Sequence, residues 1–150
     1  MGQQQLLLVI LVTIIVGIAT VVAINIFGTA ADQANRDAVR QDLMTAAAHA
    51  QAIWSRPAMM DGAARDFTSM DVESIAERIG IPGRIHNTMD GDNVSVEGNR
   101  IENENGVYII APEEAALVIT ATPGSGEPNI IMRVEHDGTE WTIGINDAQQ

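Results

Sequence analysis

The chain has 150 residues, of which eight are basic and twenty acidic, so its net charge is −12. An acidic surface repels the phosphates of nucleic acids, and we therefore expect no nucleic-acid partner. The chain contains no cysteine, which excludes a disulfide framework, a thiol nucleophile and a cysteine-based zinc site. All the basic residues are arginines. The acidic excess fits either a secreted protein kept soluble by like charge or a protein adapted to high salt.

The N-terminal segment is strongly apolar. Residues 2–31 carry no charged side chain, and Leu6–Phe27 is apolar except for two threonines, a glycine and an asparagine. At about 1.5 Å per residue, this run is long enough to cross the roughly 30 Å hydrocarbon core of a bilayer. It lacks the basic start of a secretory signal peptide and is longer than the apolar region of one. We therefore predict a membrane-compatible helix.

The helical pattern continues beyond Phe27, with no proline before Pro57. Apolar residues recur in this second part at spacings of three and four, which places them on one face of a helix. We call the predicted long helix the stalk and the region after it the head, and we predict that this stripe packs the stalk on the head. The stripe consists of Val39, Leu43, Ala46, Ala50 and Ile53. We predict one helix from about residue 3 to residue 55 that is apolar on every face in its first half and amphipathic in its second.

The region after the stalk reads as a small β-rich head, residues 57–150. A short helix with Val72, Ile75, Ala76 and Ile79 on one face comes first, and Gly80 ends it. Short β-like runs follow at Asn93–Glu97, Gly106–Ile110, Ala115–Thr122, Asn129–His136 and Glu140–Ile145. The expected fold class is α+β, with the long helix of residues 1–56 joined to an antiparallel sheet that packs on its amphipathic half.

Together, a short polar start, an unbroken apolar helix, an amphipathic extension and a small β-rich domain resemble the type IV pilin superfamily. The resemblance covers residues 1–56 well and the remainder only in architecture. In that family a leader is cut after a glycine, the apolar helix waits in the membrane, and assembly moves the helix into a filament core. Because the apolar helix contains no proline, it is more similar to the unbroken helices of archaeal-type filaments than to bacterial pilins with a locally melted segment.

The resemblance implies a structural subunit of an extracellular filament whose acidic head serves adhesion, motility or surface contact. The implied partners are further copies of the chain, the cytoplasmic membrane before assembly and the pilus assembly machinery. Thr13, Gly17 and Thr20 place small residues at helix-turn spacing, which allows neighbouring helices to approach closely. The residues expected in the filament core are Leu6, Leu7, Val9, Ile10, Thr13, Ile14, Gly17, Thr20, Val21 and Ile24. The alternative is a pseudopilin or a single-span anchored binding module that forms no long filament.

Two alignments of the N-terminus with the family are open. If Met1 is the mature first residue, Gln5 falls where such pilins usually carry a glutamate that pairs with a neighbour's N-terminal amine. If cleavage follows Gly2, the mature chain begins at Gln3. The glutamate is absent under either alignment, and a neutral glutamine can bind an amine without burying an unpaired carboxylate. We therefore expect Met1 and Gln5 to set subunit register together with small-residue packing.

Catalytic and metal-binding patterns are not recognisable, and we expect neither an enzyme nor a cofactor or metal. His49, His86 and His136 have no spacing that suggests a metal site or a catalytic pair. The acidic run from Asp90 to Glu97 does not match the pattern of an EF-hand calcium loop. It contains a glycosylation sequon at Asn93.

The few aromatic residues are far apart in the sequence and mostly single, and they are interpreted as core anchors. This interpretation is preferred to an electron-conducting stack or a platform for stacking bases. The residues concerned are Phe27, Trp54, Phe67, Tyr108 and Trp141.

Overall fold

The computed structural model describes residues 2–89, 95–126 and 128–148. Helix α1 is Gly2–Ser55 and helix α2 is Val72–Arg78, with short 3-10 turns at Ala58–Met60 and Phe67–Ser69 between them. The strands are β1 (Arg84–Met89), β2 (Ser95–Glu102), β3 (Gly106–Pro112), β4 (Ala116–Pro123), β5 (Ile130–His136) and β6 (Trp141–Asp147). The predicted α+β class, a long N-terminal helix followed by an antiparallel sheet, is confirmed.

The strands form one six-stranded antiparallel sheet in the order β1-β2-β3-β4-β5-β6. Each strand pairs with its neighbour in the sequence, since short turns can join antiparallel strands directly. The four predicted runs from Gly106 onward are confirmed, with ends displaced by one or two residues. Asn93 and Val94, at the start of the first predicted run, lie outside the described residues, as does most of the acidic run that includes the sequon.

Strand β1 was not predicted from the sequence. Its sequence, RIHNTM, contains one branched aliphatic residue and therefore lacks the alternation that indicates a half-buried strand. Ile85 pairs with Ile101 of β2 and packs against the core. The strand thus forms because β2 offers it a partner, and a polar edge strand of this kind gives a weak local signal.

The core of the fold lies between α1 and one face of the sheet. Every residue of the predicted stripe, from Val39 to Ile53, is buried, and none is more than 3% exposed. Inner-face positions match across the strands, since Tyr108 pairs with Ala121, and Ile119 pairs with Met132. The buried sheet residues that share this cluster are Ile101, Tyr108, Ile110, Leu117, Ile119, Ala121, Ile130, Met132 and Val134.

The chain divides into two compact units, residues 1–34 and residues 35–150. The second, which we call the globular unit, therefore begins inside α1 and includes its amphipathic half. This half belongs with the sheet because its apolar stripe is buried there. The predicted head, residues 57–150, contains the strands and α2. The globular unit contains in addition the half of α1 that completes their core.

The loop after α1 closes the end of the helix. The backbone N–H of Ala63 donates to the carbonyl of Ile53 at 2.9 Å, and that of Arg65 donates to the carbonyl of Trp54 at 3.1 Å. These bonds satisfy acceptors that a helix end otherwise leaves unpaired. They also hold Ala64 and Arg65 at φ values of 48° and 72°, in the left-handed region. Such conformations cost on the order of 1–3 kcal/mol each, and the bonds to the helix end offset them.

Helix α2 approaches β2 at a position where only glycine fits. Gly98 has a φ of 66°, and a Cβ at that residue would lie 2.3 Å from Cβ of Glu73. The glycine therefore permits both the backbone conformation and the close approach of α2. Ile75, Ala76 and Ile79 are buried on the face predicted for this helix.

Leu43→Ala is expected to lower the free energy of unfolding by about 2–5 kcal/mol, because the leucine is fully buried and its removal leaves a cavity. Met44→Ala is the matched control, since Met44 is the next residue and is 56% exposed. Denaturant unfolding of the detergent-solubilised chain, followed by tryptophan fluorescence, measures both. Equal losses in the two variants would contradict the packing of the stripe.

Candidate assembly interface

The first candidate interface is the assembly segment, which we define as Leu6–Phe27 of α1. All of its sixteen large apolar side chains are exposed, by between 46% and 74%. The segment spans several helical turns, so these side chains cover every face of the helix. By length and composition this helix could cross a membrane. In water, such a surface requires another apolar surface to cover it.

The residues predicted for the filament core all lie in the assembly segment. The large ones among them are exposed, including Ile10 at 46% and Ile24 at 66%. Gln5 is exposed in the first turns of α1. Met1, the other residue predicted to set register, lies outside the described residues. Their roles in assembly stay predictions.

The threonine hydroxyls of the assembly segment are satisfied within the helix. Thr13 Oγ1 donates to the carbonyl of Ile10 at 2.8 Å, and Thr20 Oγ1 donates to the carbonyl of Val16 at 2.8 Å. A hydroxyl without a hydrogen bond is costly to move from water into apolar surroundings. These internal bonds remove that cost, so both threonines can enter lipid or a bundle of helices.

Gly17 has open space around it. A Cβ at this position would meet nothing within 4 Å in the described part of the chain. The fold of a single copy therefore does not require a glycine here. Thr13, Gly17 and Thr20 follow at spacings of four and three, which aligns them along one side of the helix.

A second group of contacts, which we call the polar collar, joins the first turns of the amphipathic half of α1 to the sheet loops. Asn35 Nδ2 donates to the carbonyl of Asn105 at 3.0 Å. Its Oδ1 accepts from the backbone N–H of Ser125 at 3.0 Å. Arg36 donates to the carbonyl of Pro128 at 2.8 Å and pairs with Asp147 at 3.0 Å. These bonds fix where the loops lie along α1.

Asp42 is the centre of the polar collar. Its Oδ2 accepts from the hydroxyl of Tyr108 at 2.6 Å and from the side-chain amides of Asn105 at 2.8 Å and Asn103 at 3.2 Å. Tyr108 is fully buried, so its hydroxyl depends on this carboxylate. Burial, followed by the hydrogen bond to Asp42 and its charge, raises the pKa of Tyr108 well above its usual value.

Asn103 shapes the β2–β3 loop for this contact. Its Oδ1 accepts from the backbone N–H groups of Asn105 at 2.9 Å and Gly106 at 3.0 Å. An asparagine that binds its own backbone in this way forms a turn. Because the turn is held locally, the amide of Asn103 reaches both Asp42 and the carbonyl of Pro82, the latter at 2.9 Å.

The interpretation of the aromatic residues as core anchors is confirmed for Trp54, Phe67 and Tyr108, which are buried, and for Trp141, which packs against the core. The ring centroid of Trp54 lies 5.0 Å from that of Phe67, 5.7 Å from that of His136 and 5.9 Å from that of Trp141, so these rings form one cluster. Phe27 is 74% exposed and is not a core anchor of this chain. Phe27 is therefore the exception to the interpretation. The cluster itself was not predicted, because β6 and the loop after α1 bring together residues that are distant in the sequence.

The other two histidines lie apart from this cluster. The ring of His49 packs against Gly80, where a Cβ would lie only 2.6 Å from it. His86 Nε2 is 4.0 Å from a carboxylate oxygen of Glu102. The three histidines are thus placed in three different surroundings.

The sequence analysis also missed the polar collar. Asp42, Asn103 and Asn105 are common surface residues, and no short motif connects them. The only sequence signal was the single tyrosine in a strand, since a buried tyrosine needs a partner for its hydroxyl.

Searches against protein-family models, curated proteins and solved structures gave no match. No relative therefore indicates a function, and the residues and contacts of this chain are the basis for one.

Stability is expected to fall with rising pH above about pH 10, where tyrosine ionises in the unfolded chain. The pKa of Tyr108 is raised by folding, so its contribution is complete below the unfolded pKa and is lost as the pH rises toward the folded pKa. The slope approaches about 1.4 kcal/mol per pH unit for one proton.

Denaturant unfolding at a series of alkaline pH values measures this slope. The chain has one tyrosine and no lysine or cysteine, so few other groups titrate in this range. Tyr108→Phe is the control and should show a flat dependence there. A slope that persists in the phenylalanine variant would contradict the assignment.

Asp42→Ala is expected to lower the free energy of unfolding by about 2–3 kcal/mol, because it leaves the buried Tyr108 hydroxyl without its acceptor. Asp37→Ala removes the same charge from an exposed position, where Asp37 pairs only with Arg40 in the described part of the chain. This control should change stability by less than about 0.5 kcal/mol. Similar losses in both variants would mean that charge, rather than the buried bond, sets the effect.

Proposed function

We propose that this chain is the structural subunit of an extracellular type IV pilus-like filament. The observation that carries the proposal is the assembly segment, with sixteen large apolar side chains at least 46% exposed. Full burial of one such side chain contributes about 1.5–3 kcal/mol, so covering the segment is strongly favourable. Only lipid or other apolar helices can cover a helix on all its faces.

Before assembly, the membrane is the proposed surrounding of this segment. Its length matches a bilayer core, and α1 has the composition of a spanning helix. The internal hydrogen bonds of Thr13 and Thr20 support this stage because no hydroxyl enters lipid unpaired at these two positions. The proposed assembly machinery then moves the segment from lipid into the filament.

In the filament, the same segment is proposed to pack against the segments of other copies. Close packing of helices needs small residues on the contacting side. Thr13, Gly17 and Thr20 provide them, and Gly17 has no neighbour that requires a glycine in the described part of a single copy. A solitary membrane anchor has no use for such a stripe, which favours the filament over the anchored module.

Register between copies is proposed to depend on Gln5 and the chain terminus. Gln5 is the position where the family resemblance places a glutamate. A neutral amide can accept a hydrogen bond from a neighbouring amine and avoids the cost of burying an unpaired carboxylate. The register then depends on shape complementarity along Leu6–Phe27 more than on a charge pair.

The globular unit is proposed to form the outer surface. Its core is closed by the amphipathic half of α1, so it can remain folded whether the assembly segment lies in lipid or in a filament. The acidic excess keeps this surface hydrated. Adhesion, motility or surface contact are the roles proposed for it.

Electron microscopy of the native protein tests the proposal directly. We expect filaments many copies long that dissociate in detergent. Stable monomers in detergent together with an absence of filaments would contradict the proposal. That outcome would favour a pseudopilin or an anchored binding module.

Gly17→Leu is expected to reduce the pelletable filament at least tenfold, because the added side chain prevents close approach of the helices. The variant should still insert in membranes and keep the tryptophan fluorescence of the globular unit, since Gly17 has open space around it. Ile18→Leu is the matched control, a neighbouring change of similar volume that should assemble normally. Normal filaments from the Gly17 variant would contradict packing through this stripe.

A further inference from the structure

A small cavity adjoins the C-terminal end of α1, within the globular unit. Its volume is about 290 Å³, and its walls come from the end of α1, the loop that follows and the β5–β6 turn. We call it the aromatic cleft. It is lined by Trp54, Ser55, Arg65, His136, Gly138 and Trp141. Ligand pockets usually begin at about 300 Å³, so the cleft has room for one small ring.

Three aromatic rings shape the cleft. Trp141 lies edge-on to Trp54, with ring centroids 5.9 Å apart and an angle of 80° between the planes. His136 is 4.8 Å from Trp141, and the two residues pair directly across the β5–β6 ladder. Phe67 supports Trp54 from inside the core, at 5.0 Å. The rings are therefore held by the sheet and the core, and do not need a ligand to order them.

Arg65 provides the charged side of the cleft. Most arginines in the described part of the chain pair with a carboxylate within 4.0 Å, namely Arg36, Arg40, Arg78, Arg100 and Arg133. Arg65 has no such partner among the described residues, although the chain has twenty acidic residues. Its backbone is fixed at a φ of 72° by the bond from its N–H to Trp54. The backbone of this cleft-lining residue is therefore held in place, and the side chain extends from a fixed point.

The remaining polar groups complement Arg65. Nδ1 of His136 accepts from the backbone N–H of Gly138 at 3.1 Å, so the neutral ring carries its proton on Nε2 and can donate from there. The hydroxyl of Ser55 donates back to carbonyls of α1 at 3.2 Å, which leaves its lone pairs as acceptors. The cleft thus combines apolar ring surfaces, two kinds of donor and an acceptor.

We propose that the aromatic cleft binds one ring of a neutral saccharide. A sugar ring has an apolar C–H face and a polar rim of hydroxyls, and the cleft offers both kinds of surface within one small volume. Arg65 and His136 donate to the hydroxyl oxygens, and Ser55 accepts from a hydroxyl. The indole ring of Trp141 contacts the C–H face.

Charge favours a neutral ligand over an anion. The chain carries a net charge of −12, and Asp137 and Glu140 lie in the turn beside the cleft. Backbone N–H groups of Glu140 and Thr139 lower the pKa of Asp137, so this carboxylate stays charged at neutral pH. These negative charges oppose the attraction of Arg65 for an anion, whereas a neutral sugar meets no such repulsion.

This inference deepens the proposed function, because a saccharide site on the outer unit gives adhesion or surface contact a chemical target. The cleft lies wholly within the globular unit. Its binding is therefore measured on the detergent-solubilised full chain, whether or not filaments form. The saccharide proposal can therefore fail while the filament proposal holds, and the filament proposal can fail while the saccharide proposal holds.

The experiment uses the two tryptophans of the chain, both of which line the cleft. Glucose, galactose, mannose and N-acetylglucosamine are titrated while tryptophan fluorescence is followed, and calorimetry measures any complex. Glucuronate and tetramethylammonium are the anionic and cationic probes. We expect saturable binding of at least one neutral sugar and binding of both charged probes that is at least tenfold weaker.

Arg65→Asn tests the role of the guanidinium. Asparagine tolerates the left-handed backbone better than most residues, so the fold is expected to persist, and its melting temperature verifies this. Loss of a charged donor should weaken the sugar complex about tenfold or more. Arg56→Asn is the matched control, since it removes the same charge from an exposed residue of the same loop that does not line the cleft.

Several results would overturn the inference. The absence of a saturable signal with every neutral sugar would do so, as would equal affinity in the folded Arg65 variant. Tighter binding of glucuronate would assign the cleft to anions. Tighter binding of tetramethylammonium would assign it to cations held by the aromatic rings.

Discussion

Burial of one apolar stripe of α1 against the inner face of the sheet is the interaction on which the rest of the structure depends. Val39, Leu43, Ala46, Ala50 and Ile53 are closed from water by side chains of β2 to β5. A sheet with one apolar face must bury that face against another element, and the helix supplies the other half of its core. Because the stripe begins at Val39, within the globular unit, it does not include Leu6–Phe27, whose apolar surface stays exposed. Folding and the proposed assembly therefore use different halves of one helix.

The polar contacts supplement this apolar packing by fixing where α1 lies along the sheet. Apolar attraction has no preferred direction, whereas hydrogen bonds have fixed lengths and directions. Asp42 binds Tyr108 and two asparagines of the β2–β3 loop, and Asn35 and Arg36 bind the loop between β4 and β5. These bonds fix the register of α1 on the sheet. The exposed ion pair between Arg40 and Asp147 contributes less, because solvent screens it.

The proposed saccharide site depends on the same arrangement. Trp54 is the last aromatic residue of α1, and the loop that closes the helix end carries Arg65 into position beside it. The β5–β6 turn then places His136 and Trp141 opposite. The backbone bonds that satisfy the last carbonyls of the helix also fix the backbone of Arg65, a residue of the proposed site. The proposed assembly thus uses the apolar half of α1, and the proposed recognition uses its last turn.

Local patterns in the chain were sufficient for both helices, for the strands after β1 and for the division of α1 into two halves. The three-and-four spacing from Val39 to Ile53, the continuous apolar run and the short β-like runs from Gly106 onward depend on residues close together in the sequence, so local patterns reveal them. Strand β1, the Asp42 centre and the aromatic cleft were decided only by tertiary structure. Each joins residues far apart in the chain, such as Asp42 with Tyr108 or Trp54 with Trp141, and no local pattern records which distant residues a sheet brings together.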